Sequence, residues 1–312
     1  MRDKLNIGLI QPVIDPNLCW NEDPAFVKKE KKKGKPTPYK LNIDKIAAER
    51  VWVEIKEGLR LLLNREIKPD LILIPELHLP ISKIKKIEKI SAKHNVAILA
   101  GVDFQRDPLN FKKISNKGII TIPNNWGSKT LISTKVSTLE FGKSYFTYME
   151  RQMFKNIEGD KCIEDAEKNM YVFKSSIFGS FGVMICADIF DIERMLLYQT
   201  EIQHLFIITL NKDLTTFFAM SESLTRMLYC NVIICNTGFY GGSLAVSPYN
   251  DPNERTIYSY RGQRMFNSKM ISVPISKLIE AQNFDFVNGN KKKSGIVFKS
   301  VPPGYSDRIN NI

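Results

Sequence analysis

Histidine is scarce here: His78, His94 and His204 are the only three in 312 residues. They are scattered. The five cysteines, Cys19, Cys162, Cys186, Cys230 and Cys235, include no CxxC pair. A tetrahedral metal site needs clustered ligands at regular spacing, so a metal-dependent hydrolase has no support and no metal is expected. The odd cysteine count argues against a disulfide framework. Met1–Gln11 lacks a signal-peptide core and cleavage site, so a cytoplasmic protein is expected. No apolar run approaches the roughly 18 residues of a membrane span, the longest being pieces such as Leu205–Leu210. Acidic residues are fewer than basic ones, 33 against 45, for a net charge of +12. That balance suits an acidic partner such as nucleic acid, a membrane surface or an anionic substrate. Part of the excess is local, in KKEKKKGK at 28–35. The run reads first as a solvated loop, and no nucleic-acid-binding motif accompanies it.

What is present is an ordinary globular balance, 43% hydrophobic and 25% charged, enough to bury a sizeable core. No linker divides the chain. One domain over 1–312 is expected, with a lysine-rich insertion loop at about 13–40 and a C-terminal tail at about 276–312. Strand and helix signals alternate. Leu5–Gln11, Leu71–Pro75, Val96–Gly101, His204–Leu210, Val232–Cys235, Ser243–Val246 and Lys269–Val273 read as strands, most of them apolar throughout, as expected when both faces are covered. Ile46–Arg65, a stripe from Ile81 to Ile90, Asp191–Gln199 and Phe217–Tyr229 carry apolar residues at helical spacing. Two adjacent strand pairs are predicted, Ile119–Ile122 with Leu131–Thr134, and Tyr171–Phe173 with Phe181–Cys186. Together these argue for an α/β layered fold with mixed sheets.

Three strand ends carry reactive side chains. Leu71–Pro75 ends at Glu76, a carboxylate emerging from a buried strand with limited water, suited to act as a base; the plainer alternative is a carboxylate at a helix N-terminus. Phe181–Asp188 reads FGVMICAD. Its cysteine closes a buried strand just before a helix, an elbow that exposes the sulfur and aims backbone N–H groups at one point; packing is the competing explanation. The third stretch, Leu131–Thr134, runs into Lys135, one lysine among many. His78 lies two residues beyond Glu76 but has no matched partner in sequence.

Taken together, Pro75-Glu76, Lys135 and Gly182-Val183-Met184-Ile185-Cys186-Ala187-Asp188 resemble, in that order, the PE, lysine and G-V-x-I-C-x-D motifs of the nitrilase (carbon–nitrogen hydrolase) superfamily. The likeness spans roughly residues 5–275, from the Leu5–Pro12 opening through Leu210-Asn211 to Asn236–Ser243. It implies a four-layer α-β-β-α sandwich, often dimerised across one helical layer. It implies a cysteine-dependent amide hydrolase of EC 3.5 type, working through a thioester on a Glu-Lys-Cys triad without a cofactor; nitrile hydrolysis and N-acyl transfer use the same triad. Glu76, Lys135 and Cys186 are the catalytic candidates. The interval from Glu76 to Lys135 is 59 residues, shorter than usual for the family. Lys143, followed by Glu150, is therefore the alternative, and Lys129 comes third. Ala187 supplies an oxyanion N–H in this reading, with Glu140 as the extra acid near the lysine and Asp188 beside the cysteine. Tyr145, Asn211, Tyr240 and Ser243 are candidates for the pocket, and Phe141, Phe146 and Tyr148 could wall it. The expected partners are a small-molecule amide and a second copy of the chain, with no membrane. A competing function is a nitrilase-like effector module that meets nucleic acid through its basic loop.

Overall fold

A computed structural model describes residues 1–16, 18–20, 41–128, 135–158, 162–283 and 297–305. The lysine run at 28–35 and the strand expected at Leu131–Thr134 lie outside the described residues. The strands are β1 (Lys4–Gln11), β2 (Leu71–Leu79), β3 (Ala97–Val102), β4 (Gln105–Arg106), β5 (Lys113–Ser115), β6 (Lys117–Pro123), β7 (Val136–Gly142), β8 (Ile163–Glu164), β9 (Val172–Phe173), β10 (Phe181–Ile185), β11 (His204–Thr209), β12 (Asn231–Asn236), β13 (Ser243–Val246), β14 (Thr256–Tyr260) and β15 (Asn267–Pro274). The helices are α1 (Lys45–Leu63), α2 (Ile84–His94), α3 (Tyr148–Glu158), α4 (Ile192–Tyr198), α5 (Leu214–Met227), α6 (Pro252–Arg255) and α7 (Ser276–Gln282).

Two six-stranded sheets form among the described residues, in the orders β15-β1-β2-β3-β6-β7 and β14-β13-β12-β11-β10-β9. Each has a parallel centre, β1-β2-β3 in one and β10-β11-β12 in the other, with antiparallel strands at both flanks. The sheets stack through β2, which lies against β11 and β12. Helix α1 covers β1, β2 and β15 on one outer side, and α5 covers β12 and β13 on the other. The result is the α-β-β-α sandwich of mixed sheets.

Side-chain parity explains why the central strands are apolar on both faces. On β1, Leu5, Ile7 and Leu9 join the core between the sheets while Ile10 joins the core under α1. On β2, Leu71 and Leu73 face the second sheet while Ile72 and Ile74 face Ile55, Leu59 and Leu62 of α1. Alternation of this kind is the period-two rule of a strand buried on both sides. Asp44 caps α1, its carboxylate accepting from Ile46 N at 2.9 Å, which sets where the helix begins.

The element ends differ from the sequence reading by a few residues, and several elements were not expected, among them β7, β14, α3 and α7. β6 pairs with Val136–Gly142 rather than with Leu131–Thr134, in a register running from Lys117 opposite Gly142 to Pro123 opposite Val136. The reason is that β7 is a flank strand exposed from Ser137 to Glu140, and so lacks the apolar run that marks a doubly covered strand. Helix α3, Tyr148–Glu158, is half exposed and polar. The stretch from 276 contributes α7, and Tyr305 and Phe298 are buried against Tyr229 and Leu278.

Two histidines are structural. His204 has Nε2 at 2.9 Å from the Phe178 carbonyl and Nδ1 at 3.0 Å from Asn231 Nδ2. His78 has Nδ1 at 2.6 Å from the Glu76 carbonyl and Nε2 at 3.0 Å from Thr237 Oγ1. Burial pulls both rings down to about 4. The unfolded chain takes up these protons first, so the stability they contribute is complete above about pH 6.5 and is lost as pH falls through about 4. In ring-proton NMR titrations both should stay neutral down to about pH 5. A midpoint near 6.5 for either would contradict the buried neutral tautomer.

Candidate active site

The reactive side chains gather where the parallel strands of both sheets reach their C-terminal ends. Glu76 arrives there through a local irregularity. Simple alternation from Ile72 and Ile74 would point residue 76 toward α1. Instead, the β2–β3 register breaks between Ile74 and Leu79, and Leu77 takes a positive φ of 62°. After the break, Leu77 and Leu79 join the core under α1, so Glu76 and His78 turn toward the second sheet. An added residue that flips the pleat is what a bulge does. Gly101 on β3 makes room: a Cβ there would lie 2.3 Å from the Glu76 Cα.

Cys186 follows β10 and opens the 3-10 turn Cys186–Phe190. Its φ of 47° lies in the left-handed region, strained for a residue with a side chain and typical of a nucleophile held at a sharp strand-to-helix turn. Ala187 follows in that turn, half-buried. Lys143 comes directly after β7.

The lysine that meets Glu76 is Lys143, not Lys135. Lys143 Nζ lies 2.9 Å from Glu76 Oε1 and 2.8 Å from Glu150 Oε2. Glu76 is 2% exposed, Lys143 1% and Cys186 7%. Lys135 is exposed just before β7, at the opposite end of the strand. Seven strand residues span roughly 23 Å, so the two lysines lie at opposite edges of the sheet. The expected acid is displaced in the same way. Glu140 pairs with Lys117 at 3.1 Å on the exposed face of β7, and the acid on the lysine is Glu150.

Glu76 is held by three donors. Lys143 Nζ and Asn116 Nδ2, the latter at 2.8 Å, both donate to Oε1. The Leu210 backbone N–H donates to Oε2 at 2.8 Å. The Cys186 thiol lies within hydrogen-bond reach of the same carboxylate. Asn116 Nδ2 also donates to Glu150 Oε1 at 2.9 Å. Glu150 Oε2 further accepts from Thr147 N at 2.8 Å and Thr147 Oγ1 at 2.9 Å.

Electrostatics follow from this packing. Burial alone would push the Lys143 ammonium down, but Glu150 and Glu76 beside it hold it well above the ordinary lysine range. Burial likewise opposes the Glu150 charge, yet Lys143 and the surrounding donors keep its carboxyl below the usual range. The Cys186 thiol is pushed well up by burial and by Glu76, with Lys143 pulling the other way. At rest the sulfur is therefore a neutral thiol.

Asp188 organises the approach to the lysine. Its carboxylate accepts from Ser144 N and Tyr145 N, each at 3.0 Å, and lies 3.4 Å from Arg194 Nη1. Burial raises it to about 6 despite Arg194 and the two amides. Since its folded value exceeds the ordinary 3.8, ionising it costs the fold stability as pH rises from about 4 to about 6. Of the pocket candidates, Tyr145 is anchored by its backbone to Asp188 and its side chain is 51% exposed. Asn211 and the 240–242 turn are tied together by Asn236, whose Nδ2 donates to Asn211 O at 2.7 Å and to Gly241 O at 2.6 Å. Tyr240 is half-buried on that turn. Ser243 is buried, its Oγ accepting from Asn236 N at 2.9 Å inside the sheet. Phe141 and Phe146 are core residues and Tyr148 is exposed. Among the described residues no cluster of three or more His, Cys, Asp or Glu is placed to hold a metal ion. No described helix is long and apolar enough to cross a membrane.

Lys143→Ala strips a buried pair of carboxylates of its cation and should lower unfolding free energy by about 3–5 kcal/mol. Lys135→Ala should stay within about 0.5 kcal/mol of the parent. Urea unfolding of both variants checks this, and equal effects would refute the assignment.

No family model matches the sequence, and no curated protein matches it. Solved structures do match in three dimensions. A variant of the amidase from Nesterenkonia sp. AN1, with the acetamide moiety of fluoroacetamide added covalently at its active-site cysteine, is 10% identical at a TM-score of 0.58, covering 90% of this chain and 95% of that one. Saccharomyces cerevisiae Nit3, a member of branch 10 of the nitrilase superfamily, is 15% identical at 0.58, covering 95% and 97%. A CN-hydrolase superfamily protein from Xanthomonas campestris, with an arsenic adduct in its active site, is 13% identical at 0.54, covering 90% and 94%. From its parallel-centred sheets to its outer helices, the chain has the fold of the nitrilase superfamily.

Proposed function

We propose that the protein is a carbon–nitrogen hydrolase that cleaves non-peptide amides through a thioester on Cys186. The observation that carries this reading is a buried carboxylate, Glu76, in reach of both a thiol and an ammonium. A neutral thiol cannot attack an amide unaided, so attack and proton removal are coupled. Glu76 takes the thiol proton as the sulfur bonds to the carbonyl carbon. The carbonyl oxygen becomes an oxyanion. An ammonium carries three N–H donors, and Lys143 directs two of them to Glu76 and Glu150. Its third N–H and that of Ala187 are the donors for the oxyanion. Glu76 then returns its proton to the nitrogen, the C–N bond breaks and the amine leaves. In the second half Glu76 takes a proton from water, whose oxygen attacks the thioester. The C–S bond breaks, and the proton passes back to sulfur. Glu150 holds Lys143 in place throughout.

The nearest support among the structural neighbours is the acetamide adduct on the cysteine of the Nesterenkonia amidase. An amide is accordingly the proposed substrate class. Nitriles and acyl acceptors other than water fit the same triad.

A homodimer is also proposed. Ile192 is 82% exposed and Leu197 60% exposed on α4, and Phe190 just before it is half exposed. A cluster of large apolar side chains rimmed by charge is what a protein–protein contact covers.

Two measurements test these readings. Intact-mass spectrometry with a panel of small amides should show an acyl adduct on the parent protein and none on Cys186→Ala. Glu76→Gln should lower turnover by at least a hundredfold; an adduct surviving in Cys186→Ala overturns the mechanism. In light scattering the parent should have the mass of two chains and Ile192→Glu with Leu197→Glu that of one. A monomeric parent overturns the dimer.

A further inference from the structure

We propose that Asn116 is a positioning residue of the hydrolase, a neutral clamp that holds Glu76 and Glu150 in register around Lys143. The role rests on the reading of Glu76 as the base, and it goes beyond the triad. One nitrogen, Asn116 Nδ2, donates to Glu76 Oε1 at 2.8 Å and to Glu150 Oε1 at 2.9 Å. With Lys143 Nζ on Glu76 Oε1 and Glu150 Oε2, the four side chains close a ring of hydrogen bonds. The backbone locks the same pair of residues, Lys143 N donating to Asn116 O at 2.9 Å.

The chemistry selects an amide for this place. Two carboxylates and one ammonium leave a net negative charge in a buried site, and a buried ion survives only if its lone pairs are met. A hydroxyl has one hydrogen and could serve one carboxylate; the amide has two, which diverge toward two acceptors. A second cation would neutralise the cluster and compete with the thiol for the base. The neutral amide satisfies both acids and leaves the base its charge. The amide has only one workable orientation, since a flip would place Oδ1 between two carboxylates. Oδ1 is accordingly the atom left without a protein donor among the described residues. With Oε1 taken by Lys143 and Asn116 and Oε2 by Leu210 N, the carboxylate has little freedom to rotate away from Cys186.

The test follows iodoacetamide alkylation of Cys186 between pH 5 and 9, resolved by peptide mass spectrometry, with partly exposed Cys162 as the internal reference. In the parent, Cys186 should react faster than Cys162 despite its deeper burial; if it does not, the hydrolase reading falls before Asn116 is in question. Asn116→Leu should lower the plateau rate at Cys186 on the order of tenfold and move its acid limb up by about one pH unit. Asn116→Asp, nearly the same shape, should move the limb at least as far, because a third carboxylate joins the cluster. A merely structural asparagine would lower the urea midpoint and leave the acid limb of the folded protein in place, and that result overturns the proposal. A neutron structure of the parent reads the same claim without a variant: both amide hydrogens should point at the two carboxylates, and an amide turned away from Glu76 overturns it.

Discussion

A buried ammonium between two buried carboxylates governs this site. Lys143, Glu76 and Glu150 would each be costly alone in the interior, several kcal/mol per uncompensated ion. Together, with Asn116 and Thr147 meeting the remaining lone pairs, they form a charged cluster that the sheets can close over. Everything chemical depends on that closure. Burial leaves Glu76 little contact with bulk water, and burial with Glu76 alongside keeps the Cys186 thiol neutral at rest.

The fold serves this cluster by bringing strand ends to one edge. β2, β7, β10 and β11 all finish there, delivering Glu76, Lys143, Cys186 and the Leu210 N–H. Ligand sites at the C-terminal ends of parallel strands are a general property of open α/β sheets. Here, two stacked sheets contribute from both sides. Local strain does the final aiming: the register break that turns Glu76 inward, and the left-handed backbone at Cys186. The loops past the strand ends are then fixed by buried polar side chains, Asp188 under Ser144–Tyr145 and Asn236 between Asn211 and Gly241.

The central strands were legible in the sequence because they are apolar on both faces, a signal that survives without any partner information. Glu76 and Cys186 were legible for the same reason, each being a reactive residue at the end of such a run. Lys143 was weighed only as an alternative because the strand that delivers it is different in kind. β7 is a flank strand with a wet face, and no apolar run announces it. Lys135 lay next to a run that looked more like a strand, at what the structure places at the opposite edge of the sheet. Glu140 was misread with it, sharing β7 but facing solvent toward Lys117. Glu150 was legible only as the acid following the alternative lysine, and Asn116 gave no signal, since an asparagine between short strands resembles a surface residue until the strand pairing brings it inward. Asn116 in particular is recognisable only from what it touches.

The most direct test is a crystal structure of the acyl-enzyme, trapped on the parent protein with an activated ester whose thioester hydrolyses slowly. A thioester on the Cys186 sulfur is expected, with its carbonyl oxygen about 3 Å from Lys143 Nζ and from the Ala187 nitrogen. An acyl group on any other side chain, or a carbonyl oxygen turned away from Lys143, would contradict it.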